Sequence, residues 1–230
     1  MKNKKIIFYL ILIIAIIFCG FYFFKILKTE KASQEKYLAQ IEKENLFVFK
    51  NKNEEIDVDI ERRFKYQFYQ AVGEIKYDQK NYLGWAVAGN VKKAANDYEG
   101  AEALYLAGLE NIPDNAVLYS NLADLYYHFM EDYQKAEQYY LKTIELKPDH
   151  LQSYLDMSIL YRVKFNNQDK AVNILKQGLE QNPQNKELMV GLANVYKKFN
   201  MINEAKEVWQ ELIDLYPEND LYKKELEILQ

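Results

Sequence analysis

Residues 119–148 read YSNLADLYYHFMEDYQKAEQYYLKTIELKP, and the fold is decided in this stretch. Its first half places Tyr119, Leu122, Ala123 and Tyr126 at three- and four-residue spacing, the period of one face of an α-helix. Its second half places Ala136 four residues before Tyr140, so a small residue lets two helices approach and a bulky one fills the space a turn later. Pro148 ends the pattern, because proline removes a backbone donor and clashes with the preceding turn of a helix. The stretch is a helical hairpin with a stop.

The same marks recur on both sides of it. All four prolines of the chain, Pro113, Pro148, Pro183 and Pro217, fall at separations of 35, 35 and 34 residues. Twelve positions before them stand Ala101, Ala136, Ala171 and Ala205, eight before stand Tyr105, Tyr140, Leu175 and Trp209, and five before stand Gly108, Thr143, Gly178 and Leu212. The preceding helix repeats as Trp85-x-x-Ala88-Gly89, Tyr119-x-x-Leu122-Ala123, Tyr154-x-x-Met157-Ser158 and Met189-x-x-Leu192-Ala193, followed by Tyr126, Tyr161 and Tyr196 in the last three units. Lys92 occupies that tyrosine's place in the first unit, a departure expected to weaken it. With only 8 Gly and 4 Pro in 230 residues, and 49% hydrophobic residues, an all-α chain with a substantial core is expected.

These landmarks resemble the tetratricopeptide repeat, a unit of 34 residues built on the same order of bulky, small, tyrosine, alanine and proline positions. The resemblance covers residues 82–219 and implies four units, 82–115, 116–150, 151–185 and 186–219, stacked as a helical-hairpin superhelix. The second and third units carry one extra residue each, expected in the turns near Phe129–Tyr133 and Phe165–Gln168. Terminal units of an array need covering. Residues 60–81, with Phe64, Phe68, Ala71, Val72 and Ile75 in helical register, are expected to cap the first unit, and residues 220–230 the last.

The resemblance also implies a concave groove that holds a peptide or protein, lined by fixed positions of each first helix. In this sequence those positions are Asn90, Lys93, Asn121, Asp124, Tyr127, Asp156, Ile159, Arg162, Asn194 and Lys197. The three carboxamides suit an extended peptide backbone, since each both donates and accepts hydrogen bonds. Some relatives bind chaperone C-termini through a clamp of Lys, Asn, Asn, Lys and Arg. Asn90 and Asn121 fit that pattern, whereas Ala86, Gln152 and Asp156 stand where its basic residues belong, so a different ligand is implied.

Upstream of the repeats, Ile6 to Phe24 are nineteen residues without a charge. As a helix they span roughly 28 Å, close to the hydrocarbon thickness of a bilayer. Phe21, Tyr22, Phe23 and Phe24 continue the apolar run where a secretory signal would turn to small residues, so residues 6–24 read as a retained transmembrane helix behind a basic tail, residues 1–5. Residues 25–59 read as a polar stalk and linker. The basic tail favours an extracytoplasmic repeat domain, although Lys25, Lys28, Lys31 and Lys36 nearly balance it.

Several functions are disfavoured. Net charge is −4, no basic stripe runs along the helices, and nucleic acid is not an expected partner. Cys19 is the only cysteine, and His128 and His150 lie on separate elements, so no metal or other cofactor is expected. Gly-rich phosphate loops and nucleophile-elbow motifs are lacking, and an enzyme is not expected. The sequence reads as a membrane-tethered interaction scaffold. Its alternatives are a self-associating structural subunit of an envelope, secretion or pilus assembly, or a regulatory subunit of a membrane enzyme. The register has a direct test: Ala136→Leu or Ala171→Leu should overpack a helix crossing and cost roughly 1–3 kcal/mol in denaturant unfolding. An unchanged midpoint in both variants would place the crossings elsewhere.

Overall fold

The computed structural model describes Lys28 and residues 46–229. The expected spanning helix 6–24 and most of the stalk lie outside the described residues. Among the described residues no helix is long and apolar enough to cross a membrane. The chain divides into two compact units, Met1–Val48 and Phe49–Gln230, and the second holds every helix discussed below.

A leading helix, α1 (Val58–Tyr77), is followed by four hairpins: α2 (Tyr82–Ala94) with α3 (Tyr98–Asn111), α4 (Ala116–His128) with α5 (Tyr133–Leu146), α6 (Leu151–Ile159) with α7 (Gln168–Gln181), and α8 (Lys186–Lys198) with α9 (Ile202–Leu215). A last helix, α10 (Asp220–Ile228), lies against α9. Each helix packs on its sequence neighbour. Asparagines start most of the first helices: the side chains of Asn81, Asn115 and Asn185 accept from Leu83, Leu118 and Leu188 amides, satisfying donors that a helix N-terminus otherwise leaves unpaired. The prolines follow immediately after the C-caps Ile112, Lys147, Asn182 and Tyr216.

The core is the predicted set of small and bulky positions. Ala101, Ala136, Ala171 and Ala205 are each fully buried, as are Trp85, Tyr105, Leu122, Tyr154 and Leu175. A Cβ added at Gly89 would lie 2.2 Å from the Tyr105 ring, so the tyrosine fits only because position 89 has no side chain. The turn inside each hairpin passes through one left-handed residue, at Asn96, Glu131, Asn166 and Asn200 in the four units. Asparagine tolerates that conformation better than other side chains, and Glu131 is the exception.

The two extra residues are accommodated differently. In the second unit the extra residue lengthens the turn 129–132, as expected. In the third it does not lie in the turn near Phe165–Gln168. The first helix instead ends in a π turn, Leu160–Lys164, where the Phe165 amide donates to Leu160 O at 3.2 Å. A π turn absorbs one residue by closing i→i+5 rather than i→i+4, so the insertion widens the helix and leaves the turn at its usual length.

Lys92, the departure in the first unit, is 2% exposed, and its ammonium donates to Asp97 Oδ2 at 2.9 Å. Lys52 pairs with the other oxygen of Asp97 at 2.8 Å, and the Lys52 amide donates to Ala95 O. Phe49 adds a ring contact with Phe68 at 5.8 Å, so part of the predicted linker is docked on the first hairpin. Burial alone would push the Asp97 carboxyl up, but hydrogen bonds from Lys52 and Lys92 hold it below the usual carboxylate range. The later hairpins carry a different device at the same level. Tyr126 donates to Glu102 and lies under Lys135 Nζ at 4.6 Å, while Tyr161 donates to Glu137 at 2.8 Å and lies under Lys170 Nζ at 5.0 Å. Each set ties a hairpin to its predecessor through a charge-assisted hydrogen bond and a cation–π contact.

Removing the shared acid leaves a buried ammonium uncompensated. Asp97→Ala should therefore cost about 3 kcal/mol or more at neutral pH by denaturant unfolding. Because Asp97 is depressed in the folded state, its contribution is present above the unfolded carboxyl pKa and fades as pH falls through the folded value, so the gap between wild type and variant should narrow in acid.

Candidate functional site

All ten residues expected to line a groove fall on first helices of the hairpins: Asn90 and Lys93 on α2; Asn121, Asp124 and Tyr127 on α4; Asp156 and Ile159 on α6; Arg162 in the π turn; Asn194 and Lys197 on α8. Most are connected. Lys93 crosses from the first hairpin to pair with Asp124 at 2.5 Å, and His128 Nε2 approaches the other oxygen of Asp124 at 3.4 Å. Tyr127 packs edge-on against His128 and against Tyr133, with centroids at 4.5 and 6.1 Å, and it senses the charges of Asp156, Arg162 and Lys164. Asn90 is exposed and accepts a hydrogen bond from the Tyr105 hydroxyl at 2.7 Å. Asn194 and Lys197 stand apart from this group: Lys197 pairs with Glu225 of α10 at 2.8 Å.

The first helices are not evenly spaced. Helix α2 packs directly on α4, and α6 directly on α8, while α4 and α6 make no comparable contact and are joined through α5. Asp156 is close enough to feel the Asp124 carboxylate, and Tyr127 is close enough to feel Asp156. Tyr140 of α5 is 1% exposed, and its hydroxyl makes no hydrogen bond of normal geometry. Burial first, and then the carboxylates of Asp156 and Asp124, push that hydroxyl up, and Asp156 is close enough to accept from it. The side-chain nitrogen of Asn121 is buried without a partner among the described residues. Asp156 accepts from Gln152 Nε2 at 2.9 Å and forms no ion pair among the described residues. Burial first, and then the nearby Asp124 carboxylate, raise the Asp156 carboxyl above its ordinary range.

A second opening lies between α1 and α2. It is a mostly apolar cavity of about 420 Å³, lined by Phe64, Tyr66, Gln67, Gln70, Val87 and Asn90 among others. Sequence reasoning placed Asn90 in the groove but missed this cavity, because nothing in the sequence fixes how α1 lies over α2. It also read Tyr140 as a core landmark. Burial of the ring is legible from the repeat, but the approach of its hydroxyl to Asp156 on another hairpin is not. Among the described residues no cluster of His, Cys, Asp and Glu could hold a metal ion.

Two sequence models of the tetratricopeptide repeat match the chain, one over residues 114–184 and one over 165–225. The array is all-α, and over residues 114–225, the second to fourth hairpins and the start of α10, it is similar to tetratricopeptide repeats, a fold that suits protein interaction. Solved structures share the fold. A tetratricopeptide repeat protein from Parabacteroides merdae ATCC 43184 matches with a TM-score of 0.57 at 19% identity, over 85% of this chain and 72% of that one. YrrB, described as a TPR protein with an unusual peptide-binding site, matches at 0.53 and 17% identity, over 73% and 85%. MamA from Desulfovibrio magneticus RS-1 matches at 0.52 and 16% identity, over 66% and 84%. No sequence among the curated proteins matches this chain.

The raised carboxyl makes the site testable without a ligand. A group whose folded pKa exceeds its unfolded value is disfavoured once it ionises, so Asp156 lowers stability at neutral pH and ceases to do so below the unfolded carboxyl pKa. Asp156→Asn, which keeps an acceptor for Gln152, should raise the melting temperature at pH 7, and the gain should vanish near pH 3. A loss of stability at pH 7 would contradict this environment for Asp156.

Proposed function

We propose that this chain is a membrane-tethered scaffold whose repeats hold a peptide segment or the surface of a partner protein along the first helices of the hairpins. The observation that carries the reading is the side-chain nitrogen of Asn121, on the first helix of the second hairpin, which is buried with no hydrogen-bond partner among the described residues. A buried polar group left unpaired costs roughly 1–3 kcal/mol, and four stacked hairpins do not need one to fold. An extended peptide supplies both carbonyl acceptors and amide donors to such groups. Asn90, Lys93, Asp124, Tyr127, Asp156, Ile159, Arg162, Asn194 and Lys197 continue the same surface towards either end. Residues 6–24 supply the tether, with the repeats on the outer side of the membrane. YrrB supports a peptide-holding role only by analogy of fold, since its identity to this chain is 17%.

The alternative of self-association draws on apolar side chains left exposed on α10, Leu221 and Ile228 at 59% and 67%. One experiment separates the two. Crosslinking in the native membrane and affinity capture with the full chain should recover a heterologous protein. Asn121→Ala combined with Arg162→Ala should release it, whereas Leu141→Ala on the exposed face of α5 should not. Recovery of this chain alone, lost on Leu221→Ser with Ile228→Ser, would favour the self-associating subunit.

A further inference from the structure

Helix α1 has two faces of different chemistry. Phe68, Ala71, Val72 and Ile75 are buried on the side that packs on α2. On the opposite side Arg62, Tyr66, Tyr69, Gly73 and Lys76 follow at four- and three-residue spacing, with Tyr77 beside the last, and form one stripe along the helix. Tyr66, Tyr69 and Tyr77 are 67%, 51% and 94% exposed, and a Cβ added at Gly73 would meet nothing within 4 Å. Among the described residues every exposed tyrosine belongs to this end of the array, the fourth being Tyr82 at the start of α2. The charges of α1 are Arg62, Arg63, Lys65 and Lys76 against Asp59, Glu61 and Glu74. Its acids are engaged within the chain: Asp59 with Arg62 at 2.9 Å, Glu61 with Lys65 at 3.4 Å, and Glu74 with the Asn81 side chain at 3.3 Å. The helix is therefore basic by one charge, four against three, in a chain of net charge −4.

We infer that this stripe rests on the headgroup layer of an anionic bilayer, so that α1 makes a second, reversible membrane contact. The inference rests on the tethered reading above, in which residues 6–24 hold the chain at the membrane. An exposed tyrosine has an apolar ring and a hydroxyl that needs a polar partner, and the boundary of a bilayer suits both ends at once. Arg63 and Lys76 add attraction to lipid phosphates. A protein lying on the stripe would bury the three hydroxyls as well, and each would then need its own acceptor. The exposed side chains at the other end of the array, Leu221 and Ile228 of α10, are aliphatic and lack this mixture. Position in the chain favours the same occupant. Phe49 and Lys52 are fixed on α1 and the first hairpin, so residues 25–48 alone connect the apolar segment to the array. A tether makes such a contact intramolecular, and a weak surface then suffices. In this way α1 fixes which end of the array faces the lipid.

The test uses the full chain with Cys19→Ser and Gly73→Cys, spin-labelled at position 73 and reconstituted in vesicles of phosphatidylcholine with and without phosphatidylglycerol. Flotation reports the tether. The access of oxygen, which dissolves in lipid, against that of a water-soluble nickel chelate reports the stripe. On the anionic vesicles the label should gain oxygen access and lose nickel access, whereas a label placed by Glu180→Cys on α7 should stay in water. Arg63→Gln and Lys76→Gln should each weaken the contact about fivefold, the worth of one basic residue at an anionic surface. Tyr66→Ser with Tyr69→Ser, checked for folding by circular dichroism, should return the label to water. A label in water on vesicles that float overturns the stripe and leaves the tether standing. Shielding from both reagents identifies a protein contact and overturns the stripe as well. A chain that does not float overturns the tether and this inference together.

Discussion

The array depends on how closely its helices can approach. Ala101, Ala136, Ala171 and Ala205 are fully buried where the second helix of each hairpin crosses its neighbours, and Gly89 leaves the space that the Tyr105 ring fills. A larger side chain at these points forces the backbones apart, and the bulky residues one turn away then lose contact. Once the crossings are set, the aromatic residues have only one place to go, and successive hairpins dock in a fixed order. No hairpin could bury its apolar stripe alone, which is why the structure is a stack and why its ends carry α1 and α10.

This constraint explains what could be read from the sequence. Spacing encodes it, and the prolines, alanines and tyrosines recur at that spacing, so the hairpins and most of their core were legible. What escaped reading depends on partners distant in sequence or on the choice among equivalent local solutions. The extra residue of the third unit could lengthen a turn or swell a helix, and the π turn at Leu160–Lys164 is the second solution. The pairing of Lys92 with Asp97, an acid shared with Lys52, depends on residues 49–53 folding back on the first hairpin. The ten groove positions were legible as positions on first helices. Their grouping into a connected set around Asp124, and the separation of Lys197 towards Glu225, required the packing of α4, α6 and α10.

Among the described residues three buried side-chain atoms make no hydrogen bond of normal geometry, Asn121 Nδ2, Tyr140 Oη and Trp209 Nε1, and Asp156 is in surroundings that disfavour its charge. Local conflicts of this kind, in an otherwise consistent fold, concentrate at functional sites. The rigid hairpins hold these groups in place, so little reorganisation opposes the entry of a complementary segment.

The tie at the start of the array differs in kind from those that follow. Later hairpins are fastened by Glu102, Tyr126 and Lys135, and again by Glu137, Tyr161 and Lys170. At the equivalent places stand Phe68 of α1 and, in the first hairpin, Lys92 and Gly100. The roles are exchanged: the cation stands where the tyrosine was, 5.6 Å above the ring of Phe68, and a Cβ at Gly100 would lie 2.3 Å from the Asp97 carboxylate. These residues work only together. The first hairpin is thus closed upstream by a charge cluster made with residues 49–53 and α1, where the second and third hairpins present a phenol to the hairpin before them.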